Sequence, residues 1–210
     1  MSLNNTCSNL HNVTCGIPQG SVLGPLLFLI YINDFHNSSD LFDFYHFADD
    51  SNLFYRHKNI IDLQANVNDE LNHINTWLCA NKLSLNIEKS NFVIFRPYQR
   101  KLPIDINLNI RGKTLKQVEH VKYLGVFIDS NLSWKIHVDH LAKKIRKSIG
   151  ILSKMRYYTN IDILVRLYYA LIYPFLIYAL TAWGNTYSTT LGPLVVLQKK
   201  SRPYYYIFST

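Results

Sequence analysis

Two adjacent carboxylates, Asp49 and Asp50, lie between two aromatic runs, Leu41-Phe42-Asp43-Phe44-Tyr45-His46-Phe47 before them and Asn52-Leu53-Phe54-Tyr55-Arg56 after. Apolar run, Ala-Asp-Asp-Ser turn chemistry, apolar run predicts a β-hairpin with Phe47-Ala48-Asp49-Asp50 at its tip. Side by side, two ionised carboxylates repel each other, and flanking aromatic strands offer them little solvation. A divalent cation would neutralise the pair. All-oxygen ligation favours Mg²⁺ or Mn²⁺, with water and phosphate oxygens completing the shell. The plain alternative is a solvated turn, since Asp and Ser are ordinary turn residues.

Two further stretches could meet phosphate. The segment Gly16-Ile17-Pro18-Gln19-Gly20-Ser21-Val22-Leu23-Gly24-Pro25 holds three glycines and two prolines, and it precedes the apolar run Leu26-Leu27-Phe28-Leu29-Ile30-Tyr31-Ile32. Such a loop frees backbone amides at a helix N-terminus, where phosphate or a base edge can bind. It also reads as an ordinary connection before a core helix that Pro25 opens. No Gly-Lys-Ser/Thr follows, so it is not a Walker loop. Further on, Lys143, Lys144, Arg146, Lys147, Lys154 and Arg156 crowd one predicted helix on which Asp139 is the one acid. A solvated basic face explains this. Phosphate binding would relieve the mutual repulsion as well.

The elements that must position these groups follow from periodicity. Leu63, Val67, Leu71, Ile74 and Leu78 recur at helical spacing and predict an amphipathic helix over roughly 61–81. Phe92-Val93-Ile94-Phe95 reads as a strand, and Val118 to Asp129 as a second hairpin or strand pair. From Ser133-Trp134-Lys135 a helix runs with Val138, Leu141, Ile145, Ile149, Leu152 and Met155 on its apolar stripe. Leu164, Leu167, Tyr168, Leu171 and Ile172 fit another, ended or kinked by Pro174. A last amphipathic piece covers 191–200. Tyr204-Tyr205-Tyr206 fits no pattern. Strands and helices in this order predict an α+β fold, with helices laid on a sheet that contains the Asp-Asp hairpin.

Composition bounds the function. The chain of 210 residues is 48% hydrophobic and 14% aromatic, enough for one substantial core or two small ones. Its net charge of +8 is unevenly spread: residues 1–95 carry 4 Lys/Arg against 9 Asp/Glu, and residues 96–210 carry 18 against 5. An acidic half built round paired aspartates precedes a basic half suited to phosphates. Cys7, Cys15 and Cys79 show no CxxC spacing, which argues against a disulfide framework or zinc site and for reduced, intracellular thiols. The N-terminus lacks the basic and apolar regions of a secretory signal. Pro174 interrupts the apolar stretch 170–183, which falls short of the roughly 20 residues a membrane span takes. Nuclear or cytoplasmic localisation, without membrane attachment, is the expectation.

Taken in order, Gly16-Ile17-Pro18-Gln19-Gly20-Ser21 through Ile32-Asn33-Asp34, Phe47-Ala48-Asp49-Asp50, Leu83-Ser84-Leu85-Asn86 through Lys89-Ser90, and Tyr123-Leu124-Gly125 resemble the motifs of reverse transcriptases from non-LTR (LINE-like) retrotransposons. The likeness runs from about residue 13 to about residue 202 and includes Leu197-Gln198-Lys199-Lys200. It implies a partial right-hand polymerase palm with an antiparallel sheet over residues 1–129, then a mainly helical, basic, thumb-like region over 130–210. It also implies an RNA template, a DNA primer, deoxynucleoside triphosphates and a two-metal mechanism using Mg²⁺ or Mn²⁺. Asp49 and Asp50 match the family's paired metal-binding aspartates, Asp49 the more central. Pro18, Gln19, Gly20, Ser21, Phe47 and Ala48 match segments near the incoming nucleotide and template. Lys89 matches the lysine that assists the leaving pyrophosphate. Tyr123, Leu124 and Gly125 match the primer-end hairpin, and Lys143, Lys144, Arg146 and Lys147 would track the nucleic-acid backbone.

One departure bears on activity. The family supplies a further metal-binding aspartate from a strand upstream of the Gly-Ile-Pro-Gln-Gly loop, and the 15 residues before Gly16 contain no Asp or Glu. The expectation is an RNA-directed DNA polymerase fragment with weak or no activity as this chain. A non-catalytic nucleic-acid-binding remnant is the alternative.

Overall fold

The computed structural model describes residues 2–3, 6–7, 20–99 and 105–201. Two compact units interleave along the chain: residues 1–87 with 107–114, and residues 88–106 with 115–210.

In the first unit, β1 (Ser2–Leu3) and β2 (Thr6–Cys7) form a short antiparallel ribbon. Helix α1 (Gly24–Ile32) follows with Pro25 in its first turn, as its sequence predicts. It is not a core helix. Leucines lie all round it, so no orientation can bury them on one partner, and Leu26, Leu27, Leu29 and Ile30 stand 46 to 65% exposed. A 3₁₀ turn at Phe35–Ser38 leads to β3 (Asp43–Phe47) and β4 (Asp50–Phe54), the predicted hairpin. Helix α2 (Ile60–Ala80) starts where the Asn59 side chain accepts the Ile61 amide at 3.0 Å. Its stripe of Val67, Leu71, Ile74 and Leu78 is buried, and Ile74 and Leu78 join Phe35 in a core that Phe42, Phe44, Leu53 and Trp77 flank. The amide nitrogens of Asn107 and Asn109 donate to Gln64 Oε1 and Asn68 Oδ1 at 3.1 and 2.8 Å, which ties the ribbon β6 (Asn109–Ile110) and β7 (Lys113–Thr114) to α2. 

The structure mixes helices with short strands, as an α+β fold would, without a larger antiparallel sheet among the described residues. Among the described residues every sheet has two strands, and β3 and β4 pair only with each other. Nor is 92–95 a full strand. Only β5 (Asn91–Phe92) pairs, parallel to β8 (Lys116–Gln117), because its partner is itself two residues long.

The second unit is helical. The hairpin of β9 (His120–Tyr123) and β10 (Val126–Asp129) leads to α3 (Lys135–Met155). Then come α4 (Ile161–Leu171), α5 (Tyr173–Ile177), α6 (Leu180–Trp183) and α7 (Ser188–Ser201). As expected, Pro174 marks the break after α4. Val138, Leu141, Ile145 and Leu152 of α3 meet Leu164, Tyr168, Ile172, Trp183, Leu194 and Leu197 in one core. None of the described helices is long and apolar enough to cross a membrane.

His137 is buried in this unit at 1% exposure. Its Nδ1 accepts the Phe127 amide at 3.3 Å, its Nε2 has no hydrogen-bond partner among the described residues, and its ring meets Trp183 edge to face. Burial, then the nearby His140 and Lys144, hold its pKa below the ordinary imidazole value. The unfolded chain therefore takes up a proton first as pH falls below about 6.5, and stability contributed by neutral His137 is lost from there downward. Urea titrations between about pH 7.5 and 5 are expected to show stability falling by up to about 1.4 kcal/mol per pH unit for this proton. His137→Gln should flatten that slope; an unchanged slope would place the proton elsewhere.

Candidate active site and nucleic-acid interface

The Asp-Asp pair stands on a two-residue turn. Phe47 pairs with Asp50, which leaves Ala48 and Asp49 as the central residues, and of these Ala48 alone has positive φ, at 51°. A positive φ at the first central residue is what tight two-residue hairpin turns use. Alanine there is strained where glycine would not be. The register Phe44↔Leu53 and His46↔Ser51 puts one face of the ribbon on the core, and His46 Nδ1 lies 2.9 Å from the Ser51 hydroxyl. Tyr45, Phe47 and Asp50 share the other face, where Tyr45 and Phe47 are 56 and 59% exposed.

Asp49 and Asp50 are both exposed. The expectation that aromatic strands starve them of solvent is therefore corrected: the strands bury their other face, and water reaches the tip. Among the described residues no group of three or more His, Cys, Asp or Glu side chains is gathered as for a metal ion. The local donor set is the two hairpin carboxylates. Mg²⁺ keeps several waters and takes one or two carboxylates together with substrate phosphates, so the pair fits the protein's share of such a site.

Pro18 and Gln19 lie outside the described residues. Gly20 has φ of 85°, and the Ser21 hydroxyl accepts the amide of Gly24, the first residue of α1, at 3.1 Å. Lys89 is exposed in a turn that follows Leu85 and Asn86. It belongs to the second unit and the Asp-Asp hairpin to the first. Tyr123-Leu124-Gly125 forms the tip of the β9–β10 hairpin, with positive φ at Leu124 and Gly125, the type I′ pattern. The Tyr178 hydroxyl donates to the Leu124 carbonyl at 2.6 Å and fixes that turn. Nothing in the sequence around Tyr178 signals this role.

On α3, Lys143, Lys144, Arg146 and Lys147 are all exposed, and the Lys144 ammonium lies 5.1 Å from the Phe175 ring. Among the described residues no carboxylate lies within ion-pair distance of these cations. Sequence reading missed Asp129. Its carboxylate, buried at 6% exposure, accepts the Ser133 amide at 2.9 Å and the Trp134 amide at 2.8 Å and so starts α3. Burial on its own would raise this carboxyl's pKa. The bonds from Ser133 and Trp134 outweigh burial and hold it below the ordinary value. An acid four residues before Ser-Trp-Lys was the available signal.

Comparison with known proteins agrees with the motif order. The reverse transcriptase (RNA-dependent DNA polymerase) family matches residues 2–128, a span that contains Asp49, Asp50, Lys89 and the Tyr-Leu-Gly turn. An RNA-directed DNA polymerase from the mobile element jockey of Drosophila funebris is 28% identical over 203 residues, covering 92% of this chain and 22% of that protein. The probable RNA-directed DNA polymerase from transposon X-element of Drosophila melanogaster gives the same figures. The jockey polymerase of Drosophila melanogaster is 23% identical over 204 residues. This chain thus spans about a fifth of the length of these curated relatives. No solved structure matches it. With most of its length matched by the family and its paired aspartates at a hairpin tip, the chain belongs to the reverse transcriptases.

Proposed function

We propose that the chain contributes the Asp-Asp hairpin and part of the template-primer grip of an RNA-directed DNA polymerase of the non-LTR retrotransposon type. The observation that carries this is Asp49 and Asp50 at the tip of a tight hairpin, exposed, inside the span matched by the reverse transcriptase family. In the reaction a primer 3′-hydroxyl attacks the α-phosphorus of a deoxynucleoside triphosphate and pyrophosphate leaves. Asp49 and Asp50 would hold Mg²⁺ or Mn²⁺, Asp49 first. Bound there, a divalent cation supplies positive charge to the attacking and leaving oxygens. The remaining work falls to side chains and backbone. Lys89 offers an ammonium to the leaving pyrophosphate, the Gly20-Ser21 end of the glycine loop lies beside nucleotide and template, and the Tyr123-Leu124-Gly125 turn supports the primer end. The cations of α3, as thumb, follow the backbone.

Two carboxylates are fewer than a two-metal clamp uses. Primer extension by these 210 residues is therefore expected to be weak or nil, with template-primer still bound. Asp49→Asn is expected to weaken Mn²⁺ binding, followed by paramagnetic broadening, at least about tenfold. Unchanged Mn²⁺ affinity, or full extension by the Asp49→Asn/Asp50→Asn chain, would remove the hairpin from the site.

A second reading, a non-catalytic nucleic-acid binder, is favoured by one observation: the α3 cations are exposed and, among the described residues, have no carboxylate partners. It predicts salt-sensitive binding that survives Asp49→Asn.

A further inference from the structure

The exposed cations of α3 are ordered along the helix. Lys143, Lys147 and Lys154 are separated by four and seven residues, spacings that return to one side of an α-helix, so they form a stripe about 16 Å long. His140 begins the stripe, and Ile151, 48% exposed, lies within it. Where α3 ends, Tyr157 and Tyr158 stand 71 and 83% exposed. The Arg156 guanidinium lies 4.6 Å from the Tyr157 ring and donates to its hydroxyl at 2.5 Å, which steadies that ring and leaves its other face open. The backbone makes its last turns through Tyr157 N to Lys154 O and Tyr158 N to Met155 O, which holds both tyrosines against the end of the helix.

A duplex does not explain this combination. Its phosphates satisfy the lysines, but its bases are stacked within the helix and present no faces to exposed tyrosine rings. A single strand offers both at once, since every unpaired base carries a π face beside a phosphate. We infer that the Lys143–Lys147–Lys154 stripe and the Tyr157–Tyr158 turn form a binding site for single-stranded nucleic acid, the phosphates on the lysines and unpaired bases stacked on the tyrosines. This rests on the proposed nucleic-acid function and adds the form of strand that α3 accepts. The Tyr158 hydroxyl has no part in it; the ring does.

The test is fluorescence anisotropy with the full 210-residue chain and one labelled oligonucleotide, offered as single strand, as blunt duplex and as an abasic single strand. The single strand is expected to bind more tightly than the duplex. Tyr158→Ala should lower single-strand affinity about tenfold and leave duplex affinity unchanged, while Tyr158→Phe should bind as the parent does. The abasic strand, which can stack on neither ring, should bind the parent at least as weakly as the normal strand binds Tyr158→Ala. Equal affinity of Tyr158→Ala and parent for the single strand overturns the inference, as does an equal loss for both forms. If the parent binds neither form, the nucleic-acid reading itself fails, a result distinct from binding that ignores Tyr158.

Discussion

Replacing Lys143, Lys144, Arg146 and Lys147 together with glutamine is expected to reduce nucleic-acid affinity about a thousandfold at 0.1 M salt. Each lysine or arginine that meets a phosphate releases counterions, and each contact steepens the log–log dependence of affinity on salt by about 0.9. Four lost contacts should make that slope shallower by about 3.5 and remove a corresponding share of the affinity. The fold should be undisturbed. All four side chains are exposed, the core stripe of α3 uses other positions, and glutamine matches lysine and arginine in helix propensity. Removing like charges from neighbouring turns should even relieve repulsion. Titration of template-primer into parent and variant at several salt concentrations checks the result. Parallel salt dependences with unchanged affinity would show that α3 is a solvated face and nothing more.

How far the sequence alone could go depended on the range of the interactions involved. Helices α2 and α3 were legible because Val67, Leu71, Ile74 and Leu78, or Val138, Leu141, Ile145 and Leu152, repeat at the period of the element they build. The two hairpins were legible because turn chemistry is local: Ala-Asp-Asp-Ser and Leu-Gly each announce a reversal. Their sheet was not, since the number of strands beside β3 and β4 is decided by distant pairing that no window of sequence reports. For α1, composition announced an apolar helix, but hydrophobicity says what a segment avoids and not what covers it. Of the site, the Asp49-Asp50 tip and the α3 cations could be read directly. Tyr178 could not. Its bond to Leu124 joins residues 54 positions apart, and a tyrosine in an apolar run looks like core.

Asp129 illustrates the same limit and yields the second large effect. Between β10 and α3 the chain passes through positive φ at Leu132 and again at Trp134, 53° and 62°, where neither residue type is at ease. What holds it there is the buried carboxylate, one oxygen on the Ser133 amide and the other on the Trp134 amide, with the Leu132 amide on the Asp129 carbonyl. Asp129→Ala leaves two inward amides without acceptors beside a strained backbone, and a loss of about 2–4 kcal/mol is expected in the helical unit. Asp129→Asn keeps one acceptor and turns an NH₂ toward an amide N–H, so it should lose a smaller part of that. The pH dependence separates this role from simple packing. Because the folded pKa lies below the ordinary value, the carboxylate's contribution is complete above about pH 4 and is lost as pH falls from there through the folded value. The parent should therefore lose stability across that acid window while Asp129→Asn does not, a difference that denaturant titrations at pH values on either side would read. The loss tied to His137 begins higher, as pH falls below about 6.5, and His137→Gln separates it from this one. Should both chains lose stability alike below pH 4, the carboxylate would be incidental, and the start of α3 would be held by the packing of Trp134 alone.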